Sequence, residues 1–179
     1  MTNGPISDLD DALAAAEKGF ATWRQVAPIE RAKVLMKAAA LMREHGVRKI
    51  YTSDRDFLQF SDLEVLDTFD KKISAKAMLE RRRQALLVDL FITGTNAVTE
   101  SGQLVNLDMY GNRIGGITFG PRHVVILVGR NKLVQDLEEA FLRIKNYVAP
   151  VNAMRLDKKT PCVKTSFCED CKSPDRICN

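Results

Sequence analysis

The sequence has little of what marks membrane, secreted or nucleic-acid-binding proteins. Its longest strongly apolar run, residues 124–128, is five residues long, whereas a membrane-spanning helix needs about 20. Residues 1–5 show no basic stretch leading into an apolar one, so we expect no secretory leader and a soluble, cytoplasmic protein. The net charge is only +4 and is not gathered into a long basic run. We therefore expect neither a nucleic-acid nor a membrane partner.

Cysteine is absent from the first 161 residues and then occurs four times in the last 18. The spacing is Cys162-x5-Cys168-x2-Cys171-x6-Cys178. A Cys-x2-Cys turn can aim two sulfurs at one ion, and two further thiolates complete a tetrahedral shell. In a reducing cytoplasm such a cluster more often binds metal than forms disulfides. The spacing predicts a zinc or iron–sulfur centre, with reduced thiols or disulfides as the alternatives.

Three basic residues stand among these cysteines, namely Lys164, Lys172 and Arg176. A nearby positive charge favours the thiolate over the thiol, so we expect the pKa values of the cysteines to be lowered.

Hydrophobic periodicity and turn residues predict an α/β protein, a layered sheet with helices on both faces, preceded by an N-terminal helical hairpin. Helices are predicted over 7–25, 28–45, 74–88, 111–119 and 132–147. Strands are predicted over 47–51, 63–66, 90–93, 98–100, 103–105 and 123–128. We expect a two-residue turn at 101–102, a strand buried on both faces at 123–128, and irregular chain beyond Pro150. The predicted domains are the hairpin (1–46), an α/β body (47–158) and a cysteine-rich tail (159–179).

Two polar segments could build an anion-binding crevice. Residues 93–100 leave a buried strand at its carboxyl end, where open α/β sheets bind ligands. In residues 106–113 a glycine precedes a helix start, whose N–H groups together with Arg113 could hold a phosphate or carboxylate. Glu100 is the carboxylate best placed to act as a base or nucleophile. The alternative is that all of these are ordinary turn and cap residues.

Residues 63–179 closely resemble the C-terminal part of the LUD domain, a family of lactate-utilisation proteins. The matching segments are LDTFD (66–70), TGTNAVTESGQLVNLD (93–108), GNR (111–113), FGP (119–121), VGRNKLV (128–134), AP-x-NA-x-R (149–155) and TPC…C-x2-C…RICN (160–179). The resemblance implies a Rossmann-like α/β fold akin to CoA-transferases and sugar-phosphate isomerases, and a link to oxidation of lactate or related hydroxy acids. It implies crevice residues at Asn96, Glu100, Asn106, Gly111, Asn112 and Arg113. It also implies the four cysteines as ligands.

The first third of the chain departs from that pattern, since it lacks the glycine-rich turn with which LUD domains usually begin. Residues 8–45 resemble the early helical hairpin of aldehyde dehydrogenases, without the cysteine nucleophile or nucleotide site of those enzymes. Residues 43–62 are similar to a fragment of PIN-domain nucleases, which would imply that Asp54 and Asp56 help to bind Mg²⁺. Three unrelated resemblances suggest a composite chain, so a non-catalytic scaffold and a Mg²⁺-dependent ribonuclease are the alternative functions.

Overall fold

The computed structural model describes Lys18 and residues 25–52, 55–67, 70 and 72–178. The helix predicted over 7–25 lies outside the described residues except at Lys18 and Gln25. The chain divides into two compact units. We call residues 94–111 and 128–178 the tail unit, because they include the cysteines, and the other described residues the sheet unit.

Seven strands and six α-helices are formed by the described residues. The strands are β1 (Lys49–Tyr51), β2 (Glu64–Leu66), β3 (Leu90–Thr93), β4 (Ala97–Thr99), β5 (Leu104–Val105), β6 (His123–Ile126) and β7 (Leu133–Val134). The helices are α1 (Pro28–Glu44), α2 (Ala75–Gln84), α3 (Asn112–Thr118), α4 (Leu137–Arg143), α5 (Ala149–Arg155) and α6 (Pro161–Thr165). Short 3₁₀ helices cover Arg55–Gln59, Ala85–Leu87 and Arg130–Lys132.

The sheet unit is built on a parallel four-stranded sheet in the order β2-β1-β3-β6. Successive side chains of a strand point to opposite faces, and Ile50 and Tyr51 of β1 enter two different core clusters accordingly. One cluster contains Ala39 of α1, and the other contains Ala85 beside α2. The predicted α/β fold with helices on both faces of the sheet is therefore confirmed.

Helix α1 ends where its sequence predicts, at His45 and Gly46. Gly46 adopts a φ of +71°, a left-handed conformation that costs glycine little. This lets the N–H of Val47 donate to the carbonyl of Met42 at 2.8 Å, while Gly46 donates to Arg43 at 3.1 Å. This pair of bonds is the Schellman motif, which satisfies carbonyls that a helix end otherwise leaves unpaired.

Strand β6 does not have the doubly covered position that its apolar sequence predicts. Among the described strands it lies at the edge of the sheet and pairs with β3 alone. Within and just beyond it, Val125 is 42% exposed and Leu127 is 65% exposed. Composition could not distinguish the edge from the centre, because that depends on which strands pair with it.

In the tail unit, β4 pairs with β5 in an antiparallel sense and with β7 in parallel. The predicted two-residue turn is wrong, because the N–H of Thr99 donates to the carbonyl of Gln103 and leaves a three-residue loop. Gly102 takes the left-handed conformation in this loop, with φ at +83°, as three-residue hairpin loops require. Glu100 thus lies in the loop and not in a strand.

The helix predicted over 132–147 and the irregular chain predicted beyond Pro150 both need correction. Residues 133–134 form β7, and α4 begins only after Asp136, whose side chain accepts a bond from the N–H of Glu139 at 2.9 Å. A π-helical turn, Ile144–Val148, follows α4 directly, and α5 continues through Pro150. Proline is tolerated there because it occupies the first turn of α5.

No α-helix in the described part of the chain is long and apolar enough to cross a membrane.

Candidate functional site

The cysteine segment is folded back on itself by side chains that bond to the backbone. Ser173 Oγ donates to the carbonyl of Lys159 at 3.0 Å, and the N–H of Lys159 donates to an Asp175 carboxylate oxygen at 2.7 Å. The same carboxylate pairs with Lys158 at 3.0 Å. These bonds hold the residues before Cys162 beside those before Cys178.

All four cysteines line one cavity. It has a volume of about 20 Å³ and is otherwise lined by four apolar residues, by Thr160 and by the charged residues Glu169 and Arg176; the apolar residues are Ala149, Pro150, Ala153 and Ile177. The four thiols are half-buried and form no disulfide with one another. In the described residues, no three His, Cys, Asp or Glu side chains already stand close enough together to hold a metal ion. The fold therefore places the predicted ligands around one cavity but does not bring them as close together as the ligands of a bound metal ion.

Cys168 bonds to Asp170 in both directions, and its thiol donates to the Asp170 carboxylate at 3.8 Å. The N–H of Asp170 donates to its sulfur at 3.4 Å, from a backbone whose φ of +49° turns the peptide inward. Lys145, on the π turn, pairs with the Asp170 carboxylate at 2.6 Å. Such outer contacts orient ligands and are a regular part of metal sites.

The expectation that basic neighbours lower the pKa values of the thiols is wrong for Cys178. Burial raises the pKa of this thiol, and the nearby Cys168 and Cys171 raise it further, although Arg176 acts in the opposite direction. Desolvation disfavours a lone thiolate more than one cation favours it. The influence of Cys168 and Cys171 on Cys178 is a second sign that these sulfurs are neighbours.

Two of the predicted crevice residues, Asn96 and Asn106, bond to neighbouring residues of the tail unit. Asn96 accepts a bond from the N–H of Leu107 at 2.7 Å through its side-chain oxygen. The amide of Asn106 lies 3.1 Å from the hydroxyl of Thr95, which is 1% exposed and reaches two carbonyls as well. These contacts hold β4 against β5, as the turn-and-cap alternative predicts.

The other predicted crevice residues are divided between the two units. Glu100 is exposed in the loop after β4. Gly111 is the last residue of the 94–111 stretch of the tail unit and has a left-handed backbone, with φ at +74°. Asn112 and Arg113 open α3 in the sheet unit, both half-buried. The predicted helix start after Gly111 is thus confirmed, while the role of the crevice residues stays a prediction.

Of the two nuclease-like aspartates, Asp54 lies outside the described residues. Asp56 is exposed at the start of the 3₁₀ helix before Gln59. Nothing in this arrangement adds to the fragmentary likeness that suggested Mg²⁺ binding.

Sequence reasoning missed Arg143, which ends α4 beside the π turn. Its Nε donates to the backbone carbonyl of Asn96 at 3.2 Å, and its guanidinium carbon lies 5.2 Å from the ring centroid of Tyr147. The sequence signal for the irregular turn beside Arg143 was Pro150, seven residues further along the chain. It cannot donate the bond that a regular helix gives to the carbonyl four residues earlier, so the helix must be irregular there.

Comparison with known proteins places the chain in one family. The family model described as the LUD domain matches residues 17–179. This match begins well before the segment that the sequence motifs point to, so α1, β1 and β2 belong to the matched region too. No solved structure matches the chain. The described strands agree with the α/β fold that the resemblance implied, and the chain belongs to the LUD domain family, which is related to lactate utilisation.

Proposed function

We propose that this protein serves lactate or hydroxy-acid utilisation, or a related redox process, in the cytoplasm, and that its tail binds a metal centre through Cys162, Cys168, Cys171 and Cys178. The observation that carries the proposal is the single cavity lined by all four thiols. Four thiolates suit zinc or an iron–sulfur cluster.

The surroundings of the cavity fit a buried thiolate centre. The N–H of Asp170 already points at the Cys168 sulfur, and Arg176 and Lys145 stand close enough to offset negative charge. Apolar walls from α5 limit access by water, which strengthens electrostatic interactions inside. Burial and the neighbouring sulfurs make Cys178 costly to ionise alone, so a metal ion is the natural counter-charge.

The size of the cavity favours a single ion over a cluster. A space of about 20 Å³ holds little more than one water-sized sphere, for which about 10–15 Å³ suffices. An iron–sulfur cluster has several atoms between its ligands and needs more room than a single ion.

In the proposed function Glu100 is the candidate acid or base, and Asn112 and Arg113 orient an anionic group. Glu100 is exposed and carried by a hairpin loop whose backbone is fixed to β7 by a bond from its own N–H to the carbonyl of Val134 at 2.9 Å. A carboxylate on a rigid loop is able to meet a substrate without a folding change.

Metal analysis of protein purified without oxygen tests the proposal. We expect near-stoichiometric zinc, or iron with acid-labile sulfide and a visible charge-transfer spectrum. Cys171→Ser should remove most of the metal, because three thiolates cannot close the shell. Lys172→Ala, which changes an exposed neighbour, is the matched control and should keep it.

Absence of zinc and iron from the wild-type protein, or full metal content in Cys171→Ser, would refute the metal centre. Without the metal centre, the non-catalytic scaffold becomes the better description. It predicts no rise of melting temperature with lactate, CoA or sugar phosphates, whereas the crevice predicts a rise with at least one.

A further inference from the structure

A second cavity in the tail unit lies between β7, α4 and the π turn. It is open to solvent and has a volume of about 310 Å³, within the range of small-molecule sites. The residues lining it are Asn131, Leu133, Val134, Glu139, Leu142, Arg143, Asn146 and Tyr147. Neither the cysteines nor the predicted crevice residues are among them.

Arg143 is held in this wall by two contacts that leave its outer N–H groups unused. The Nε is bonded to the carbonyl of Asn96 and the guanidinium lies over the Tyr147 ring. In the described residues no carboxylate pairs with it. An arginine fixed in this way presents a planar fork of donors, which matches the two oxygens of a carboxylate.

The π turn brings two more polar side chains to the same cavity. The N–H of Ala149 donates to the carbonyl of Ile144, five residues back, so Ile144–Val148 form one wide turn. Asn146 and Tyr147 lie within it and line the cavity. Single π turns inside α-helices are rare and recur at functional sites, which makes this irregularity an indication independent of Arg143.

The charges around the cavity select the class of anion. Arg143 is the one cation among the described residues that line it, and Glu139, which lines it too, accepts a bond from the N–H of Gln135 at 2.7 Å. Glu139 repels any anion and offsets the charge of Arg143, but it repels a doubly charged phosphate more strongly than a singly charged carboxylate, whose two oxygens match the guanidinium fork. The amides of Asn131 and Asn146 can both donate and accept, which suits a hydroxyl or carbonyl beside the carboxylate.

We propose that this cavity binds a small organic monocarboxylate, held by Arg143 and recognised through Asn131, Asn146 and Tyr147. The proposal deepens the hydroxy-acid function and rests on it for the choice of lactate as the first probe. The site itself requires none of the cysteines, so its presence does not depend on the metal centre.

The test is an NMR titration of the isotope-labelled full chain with lactate, acetate and inorganic phosphate at constant ionic strength. We expect saturable shifts from lactate and acetate at the amides of Leu133, Arg143, Asn146 and Tyr147. Arg143→Met should weaken binding by about tenfold or more, since a charge-assisted pair is lost. Arg155→Met, which changes an exposed arginine of α5 outside the cavity, should bind as the wild type does.

Asn146→Asp is a second variant, which tests the site even if Arg143→Met does not fold. It adds a repelling charge at an exposed position. It should weaken carboxylate binding several-fold with an unchanged spectrum elsewhere. No saturable carboxylate shifts, or equal affinity in both cavity variants and the wild type, would overturn the proposal. Tighter binding of phosphate at the same amides would overturn it as well. Metal content measured on the same samples distinguishes this failure from failure of the metal centre.

Discussion

At the scale of single residues, Asp89 shows how one carboxylate can fix the start of a sheet. One of its oxygens accepts bonds from the N–H groups of Arg48 and Lys49, each at 3.0 Å. These bonds lower the pKa of Asp89, and Arg122 adds a smaller effect in the same direction. The carboxylate thus ties the residue before β3 to the beginning of β1.

We expect Asp89→Ala to lower the free energy of unfolding by about 2 kcal/mol, since two backbone donors lose a charged acceptor. Asp89→Asn should lose about half as much, because its amide oxygen still accepts. Chemical denaturation measures both, with Asp157→Asn at an exposed site as the control. Equal stability of Asp89→Ala and the wild type would contradict the role of Asp89.

The pH dependence of this effect has a definite sign. The pKa of Asp89 is lower in the folded chain than the value of about 3.9 in unfolded chains. Its contribution is therefore complete above about pH 4 and is lost as the pH falls through the folded value. Denaturation at pH 7 and at pH 3 should show the difference between the wild type and Asp89→Asn shrinking in acid.

Asp62 offers a spectroscopic test on the surface. Arg43 donates two N–H bonds to the Asp62 carboxylate, one of them at 2.7 Å. These bonds lower the pKa of Asp62 to about 2. In Arg43→Met we expect the pKa of Asp62 to rise toward the ordinary value of about 3.9. A carboxyl-carbon NMR titration measures it, and Lys37→Met, on the same helix, should leave it near 2.

At the scale of elements, α3 packs so closely on β3 that a methyl group would not fit. A Cβ built on Gly116 would lie 2.7–3.0 Å from the ring of Phe91. That ring is fully buried and stacked on Tyr51 at 4.3 Å, so it cannot move aside. Gly115, one residue earlier, meets only the end of the Leu86 side chain at 3.4 Å.

We therefore expect Gly116→Ala to destabilise the protein by about 1–3 kcal/mol, the usual cost of overpacking. Gly115→Ala should be neutral or stabilising by up to about 1 kcal/mol, because alanine favours the helix. Thermal and chemical unfolding of the pair compare the same substitution in the same helix. A Gly116→Ala protein as stable as Gly115→Ala would show that the ring can shift.

What could be predicted from sequence at this scale was whatever neighbouring residues decide. The end of α1 follows from Gly46 and the start of α3 from Gly111, and both were predicted. Other features depend on residues far along the chain. These are the edge position of β6, the pairing of β7 with β4, and the bond from the N–H of Leu107 to the side chain of Asn96. Periodicity carries no information about such pairing, so the bonds that Asn96 and Asn106 make within the tail unit could not be predicted.

At the scale of the whole molecule, the two compact units should respond differently to metal removal. The proposed ligands and the bonds between 158–159 and 173–175 all lie in the tail unit. Stripping the metal should raise hydrogen exchange there, and the amides of β1 and β3 should keep their protection. Mass spectrometry with and without a chelator measures this. Uniform loss of protection would show that the centre stabilises both units.

The π turn sets the direction in which the side chains of α5 face. In a regular helix each residue advances about 100° around the axis, and a five-residue turn contains one more residue than an α-helical turn would. Ala149, Pro150 and Ala153 therefore face the cysteines only because that extra residue is present. Deleting one residue from 144–148 would turn α5 by about a quarter to a third of a revolution. That rotation would take these walls away from the cysteine cavity while Arg143, before the turn, kept its place, so one irregular turn sets the alignment of both sites.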